Sequence, residues 1–202
     1  MLRQPEAGTF EGHVSLVDWP TTRMWRLSKF PATEPFFGKS GGYRFDDLAA
    51  HTTAGADYGV LYVAQDPETA FCESIIHEGS LFRNGSFEVA ASALAERSLV
   101  AFKHPAKSVL SFADMTGDAL KALGLNNDLS AGDDYLIPQQ WSRAIHDAFP
   151  QVDGIRYVSR QRNGCYCFAV FDRSELVRDS WVPLTDGDIA MLCDRFNVKA
   201  AR

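Results

Sequence analysis

The chain has 202 residues, 46 % of them hydrophobic, enough for one sizeable core and a single domain. A net charge of −6, with no basic run longer than two residues, disfavours a nucleic-acid groove but not a local basic pocket. No apolar run approaches the ~18 residues of a membrane span, and the stretch Met1-Leu2-Arg3-Gln4-Pro5-Glu6-Ala7-Gly8 lacks the apolar core of a signal peptide, so a cytoplasmic setting is expected.

Residues 1–20 mix Gly8, Gly12 and Pro20 with the apolar Val14, Leu16, Val17 and Trp19. They read as a short strand or an extended arm. From Arg23 to Ser28, Met24, Arg26 and Ser28 alternate with Trp25 and Leu27, which predicts a short strand with Arg26 on the face opposite Trp25. Prolines and glycines make 30–42 a loop. It leads into Gly41-Gly42-Tyr43-Arg44-Phe45-Asp46, where glycine permits either a close backbone approach to a ligand or a plain surface turn. Residues 47–57 form a polar loop.

The run from Gly59 to Ala64, with Val60, Tyr62 and Val63, predicts a buried strand. Asp66-Pro67 then starts a helix, Asp66 accepting from orphan N–H groups and Pro67 taking the first helical position. Glu68 faces the positive end of the helix dipole, and Gly79 is the expected C′ residue. Phe71, Cys72, Ile75 and Ile76 make the apolar stripe. At about 100° per residue Glu73 stands roughly 60° from Ile76. Helix geometry alone leaves two readings, a solvent-facing flank or a carboxylate held near the core, where its charge needs a purpose.

Further on, Asn84-Gly85 marks a turn, 87–95 is strand or helix, and 99–103 and 109–112 are strands. Residues 118–124 predict a short helix with an acidic start and a glycine stop, followed by a loop over 126–134. The helix within 135–149 begins near Pro138 and turns Trp141, Ala144, Ile145 and Ala148 to one side, with Ser142 beside that face. Two strands, 154–160 and 165–171, flank Asn163-Gly164, a strong hairpin signal, and a two-residue turn there sets Ser159 opposite Phe168. Ile189, Ala190, Leu192, Cys193 and Phe196 make 186–196 a packing helix.

The four cysteines, Cys72, Cys165, Cys167 and Cys193, and the five scattered histidines show no zinc spacing, so no metal is expected. Cys165 and Cys167, two apart in a strand, face one side and pair poorly; all four read as reduced thiols. No Gly-x-Gly-x-x-Gly opens a βαβ unit and no Gly-x-Ser-x-Gly elbow occurs, so neither a Rossmann site nor a hydrolase triad is indicated. The pattern is that of a single mixed α+β domain, a curved antiparallel-rich sheet pair flanked by helices.

The stretch Leu61-Tyr62-Val63-Ala64, then Pro67-Glu68-Thr69-Ala70-Phe71 and Glu73, resembles the centre of the RES domain, a family named for an arginine, a glutamate and a serine. Glu73, eleven residues after Tyr62, falls at the family's glutamate. The Gly41–Phe45 segment resembles the part where glycines precede an arginine and an aromatic, with Tyr43 interposed before Arg44. Gly154-Ile155-Arg156-Tyr157-Val158-Ser159 resembles the serine-bearing strand, which gives Ser159 the serine role. The resemblance spans roughly 22–175, with 1–20 an N-terminal arm and 186–196 a C-terminal helix of one domain over 1–202. It implies an ADP-ribosyltransferase-like split of the sheets, consumption of NAD as a substrate with no bound cofactor, and a toxin paired with an Xre-type antitoxin.

These residue types suit that reaction. The nicotinamide–ribose bond breaks through an oxocarbenium-like state, as glycosidic bonds do. An ionised Glu73 stabilises the growing positive charge and holds a ribose hydroxyl. Arg26 and Arg44 suit the pyrophosphate through their planar, bidentate forks. Tyr62 offers a ring for the cationic nicotinamide, worth ~1 kcal/mol, and Ser159 orients a hydroxyl or the carboxylate. The expected catalytic set is Arg26, Glu73 and Ser159, with Arg26, Arg44 and Tyr62 binding substrate. The acceptor stays open between phosphate, water and a protein side chain. A protein-modifying ADP-ribosyltransferase and a silent interaction domain are the alternatives.

Overall fold

The computed structural model describes residues 2–77 and 80–201. Among these residues, eleven strands form two sheets. In chain order they are β1 Leu16–Pro20, β2 Trp25–Ser28, β3 Val60–Ala64, β4 Leu81–Arg83, β5 Ser86–Ala90, β6 Ser98–Lys103, β7 Val109–Met115, β8 Gly154–Val158, β9 Tyr166–Phe171, β10 Val177–Pro183 and β11 Val198–Ala201. The large sheet runs β1-β7-β8-β9-β3-β2-β6-β10, and the small one β11-β5-β4. Pairing is antiparallel except at β7–β8 and β11–β5. The helices are α1 Pro67–Phe71, α2 Ala91–Ala95, α3 Gly117–Ala122, α4 Asp128–Ala131, α5 Leu136–Ala148 and α6 Asp186–Phe196. None among the described residues is long and apolar enough to cross a membrane.

The large sheet curves. Val100 and Phe102 of β6 share one buried cluster with Leu110 and Phe112 of β7, although these strands stand far apart in the sheet order. None of the residues in that cluster comes from a helix, so the sheet itself curls over Leu61, Val63, Phe168 and Val170 to bury them. The opposite face carries two further clusters. One packs Trp141 and Ile145 of α5 and Leu120 of α3 on Val60 and Ile155. The other packs Phe71 and Ile75, Leu192 of α6 and Val89 on Ala64 and Cys167. β3 is buried on both sides, which is why its sequence is an unbroken apolar run.

The feature that makes the site is a parting between two neighbours. β2 pairs along its whole length with β6, yet meets β3 only at Trp25↔Ala64. Beyond that pair the strands separate. The exposed edge of β3 is then satisfied piecemeal: Gly38 exchanges both backbone bonds with Val60 at 2.9 Å, and the Arg26 guanidinium donates to the Tyr62 carbonyl at 3.4 Å.

Several expectations need correction. The central helix is not continuously α: after α1 comes a π-helical turn, Cys72–Ile76, that carries Glu73. Gly79, read as its C′ residue, lies outside the described residues. Asp66 does cap α1, accepting from the Thr69 N–H at 2.7 Å with Pro67 following. α5 begins at Leu136, one half-turn before Pro138. The loop over 126–134 holds the short α4, and 87–95 divides into β5 and α2.

The Asn163-Gly164 hairpin is antiparallel, but its register runs from Gly154↔Val170 to Val158↔Tyr166. Ser159 therefore meets Cys165, its N–H reaching the Cys165 carbonyl at 2.8 Å, and not Phe168. The cause is Ser159 itself, whose Oγ accepts from the N–H groups of Gln161 (3.2 Å) and Arg162 (2.9 Å) and opens a longer loop. Gly164 has φ 80° while Asn163 stays at negative φ, so no type I′ turn forms. Asn84-Gly85, with φ 49° and 77°, is the true two-residue turn, joining β4 to β5.

The N-terminal stretch packs onto the body. β1 extends the large sheet beside β7, Phe10 is buried with its ring 5.5 Å from that of Trp141, and the Trp141 indole donates to the Arg3 carbonyl at 2.8 Å.

Candidate active site

A cavity of about 870 Å³ opens where β2 and β3 part, within the range of small-molecule sites. Arg26, Arg44, Tyr62 and Glu73 all line it, although they come from four separate segments. Ser159 does not reach the wall. It is 1 % exposed and stands directly behind Glu73.

The Ser159 hydroxyl has one proton and two lone pairs. Gln161 and Arg162 N–H groups occupy the lone pairs, so the proton goes to Glu73 Oε1, at 2.5 Å. The Gln161 N–H adds a longer bond, 3.3 Å, to the same oxygen. Among the described residues no donor reaches Oε2, so the carboxylate is oriented by one oxygen and free at the other. The loop behind it is anchored: Arg162 Nη1 donates to Asp66 Oδ1 and Thr69 Oγ1, each at 2.8 Å, tying the end of β8 to the start of α1. Burial alone raises the Asp66 pKa, but the Thr69, Gln65 and Arg162 contacts outweigh it and hold the carboxyl below its ordinary range.

Tyr62 is fixed at both edges of its hydroxyl. It donates to Asp46 Oδ1 at 3.0 Å and accepts from the Phe45 N–H at 2.8 Å, leaving the ring as the usable surface. Burial, and then the Asp46 charge, push its phenol far above the ordinary range, so it stays protonated. Burial also raises the carboxyl of Asp46. Tyr43, 56 % exposed, tilts against Tyr62 at 5.7 Å and forms the rim with the exposed Phe30 and Phe36.

The two expected arginines differ. Arg26 Nε pairs with Glu34 Oε1 at 3.2 Å, and the Glu34 side chain is only 3 % exposed. Arg44 is buried, with Nη1 on the carbonyls of Leu129 (3.3 Å) and Gly132 (2.7 Å) and its guanidinium 4.7 Å over the Tyr135 ring. Burial lowers its pKa. Around them the wall carries Lys29, Arg97 and Arg160 as well, among the described residues five arginine and lysine side chains against the carboxylates of Glu34 and Glu73. An anion is favoured at such a wall, and Glu73 is set to meet a positive charge developing beside it.

Ser142 lies elsewhere. It is fully buried, donating to the Phe45 carbonyl at 2.7 Å and meeting the Tyr58 hydroxyl at 3.0 Å, a packing role. Sequence reasoning missed Arg160, Tyr157, Tyr135 and His77, which all line the cavity. Tyr157 was within reach, because a strand's two-residue period puts it on the face of Ser159. His77 follows from the π turn, which no periodicity signals. The cysteines are all unpaired, and Cys167 contributes to the wall with its thiol pushed up by burial, a poor nucleophile. Among the described residues no cluster of His, Cys, Asp and Glu could hold a metal.

Comparison with known proteins agrees with this architecture. Curated protein sequences yield no match. Among solved structures, a chain in the crystal structure of the M. tuberculosis MbcT–MbcA toxin–antitoxin complex shares the fold, with a TM-score of 0.62 at 17 % identity, covering 91 % of this chain and 93 % of that one. The family model described as RES domain matches residues 23–188, a span that holds the parted strands, Glu73 and Ser159. The chain therefore belongs to the RES domain family.

Proposed function

We propose that this protein cleaves the nicotinamide–ribose bond of NAD, as an NAD phosphorylase or glycohydrolase, and acts as the toxin of a toxin–antitoxin pair. The observation that carries the reading is the Glu73 carboxylate, held by the Ser159 hydroxyl at 2.5 Å with its second oxygen free, in a cavity walled by arginines and aromatic rings. In the reaction the bond electrons leave with nicotinamide, which departs neutral. Glu73 faces the oxocarbenium-like ribose left behind, where a fixed anion lowers the barrier. The basic wall holds the pyrophosphate, and Tyr62 and Tyr43 supply ring surface for the nicotinamide. Phosphate or water then adds to the anomeric carbon, giving a phosphorylated or a free ADP-ribose; phosphate is a co-substrate in the first case.

An antitoxin partner, of Xre type, is part of the proposal. It is supported by RES family membership and by the shared fold with a chain from a toxin–antitoxin complex. The test is direct. Purified protein is incubated with NAD, with and without phosphate, and the products are identified by mass. Nicotinamide release is expected, with phosphate-dependent turnover for a phosphorylase. Intact NAD in both arms overturns the reading.

A further inference from the structure

Arg44 and Arg160 are distant in sequence, yet both are fastened to the same short stretch, 129–133. Arg44 takes the carbonyls of Leu129 and Gly132, while Arg160 Nη1 pairs with Asp133 Oδ1 at 2.9 Å. Both side chains line the cavity, with Ser130 of the same stretch between the two anchor points in sequence. Burial first, and then repulsion from the Arg160 charge, weaken the hold of Arg44 on its proton. Such an arrangement costs stability unless an anion completes it.

The donor inventory points the same way. A guanidinium has five N–H donors, and the carbonyl bonds of Arg44 use only Nη1. Among the described residues Nε and Nη2 meet no hydrogen-bond acceptor and are not among the sealed, unsatisfied atoms, and the Arg44 side chain lines the cavity. Arg160 is a third exposed, and its partner Asp133 is 87 % exposed. A carboxylate so well hydrated is a weak, exchangeable counter-ion.

We propose that Arg44 and Arg160 form a binding site for a phosphate group, in which Asp133 is the resident counter-ion that the incoming phosphate displaces. The buried Arg44 fixes the geometry through its two carbonyl anchors, and Arg160 swings from Asp133 to the ligand. The assignment deepens the proposed function and rests on its reading of the cavity as a nucleotide site. The phosphate comes either from the diphosphate of the nucleotide or from free inorganic phosphate.

Calorimetric titration of the full chain with ADP and with inorganic phosphate tests this. Arg160→Ala is expected to weaken binding about tenfold or more, and Arg160→Lys to recover only part, because a point charge lacks the bidentate fork. Asp133→Ala is expected to tighten binding about threefold or more by removing the competitor. Asp133 lies on the surface, so this variant folds even if an arginine variant does not; melting curves check each. Phosphate excluded by bound ADP assigns the site to the nucleotide diphosphate, and phosphate that binds beside ADP and is lost in Arg160→Ala assigns it to the free anion. Wild-type affinities in Arg160→Ala, or no tightening in Asp133→Ala, overturn the proposal. Arginine-dependent ADP binding without NAD consumption leaves this site standing and removes the enzymatic reading; NAD consumption indifferent to both variants does the reverse.

Discussion

Glu73 is held by a hydroxyl whose only proton points at it, and this makes one substitution unusually clean. In Glu73→Gln the amide oxygen still accepts from Ser159 Oγ, so shape and orientation persist while the charge goes. Turnover should fall ~10²-fold or more, about 2.7 kcal/mol of barrier, with NAD binding and the melting transition little changed. Near-wild-type NAD consumption by the folded variant would sink the mechanism. Arg26→Ala reads out differently. It weakens NAD binding, but it also strands Glu34, whose side chain is 3 % exposed, and an unpaired buried charge costs about 3 kcal/mol. Adding Glu34→Gln should restore the melting temperature and not the affinity. If one change restores both, Arg26 is a structural partner only. Glu34 was invisible in the sequence because it sits in a proline-punctuated loop, where no periodicity marks an inward residue.

Whole elements were legible where one local force dominates. The buried β3, the Asp66 cap and the packing helix α6 each follow from a few adjacent residues. The hairpin register was not legible, because a single serine outcompeted the turn dipeptide for the local N–H groups. The π turn was also hidden, because a sequence stripe fits α and π spacing equally over so few residues. The segment 47–57 offers a test at this scale. Asp47, 1 % exposed, accepts from the N–H groups of Ala49 and Asp57 and from Arg143 of α5, fastening the loop to the helix. Burial raises its pKa, but these bonds prevail and lower it below the ordinary 3.8. A depressed carboxyl contributes stability above its unfolded value and loses it as pH falls through the folded one. Asp47→Ala should cost about 2 kcal/mol near neutral pH through lost charge-assisted hydrogen bonds, and part of the gap from wild type should close as pH drops below 4. Denaturant melts across that range measure it, and a gap independent of pH refutes the ionic clamp.

At the scale of the molecule, charge is segregated. The chain carries −6, yet among the described residues the cavity wall holds five arginine and lysine side chains and two carboxylates. Composition gave the overall sign and could not show this, since the arginines and the lysine come from positions 26 to 160 and meet only because β2 and β3 part. A recessed basic wall in an acidic body draws an anionic substrate inward and turns it away elsewhere. Salt weakens that pull, because the Debye length shrinks from roughly 10 Å at 0.1 M to about 3 Å at 1 M. KM for NAD should thus rise about threefold or more between roughly 0.05 and 0.5 M sodium chloride, while turnover at saturation holds steady, since Glu73 acts at contact range on a shielded ribose. Chloride is the better probe, because sulfate would compete for the phosphate-binding arginines themselves. Glu73→Gln should show the same salt slope in binding, separating attraction by the wall from chemistry at the carboxylate. A KM that stays flat across the range would mean that substrate is held by ring contacts and hydrogen bonds alone, and that the basic wall serves the fold.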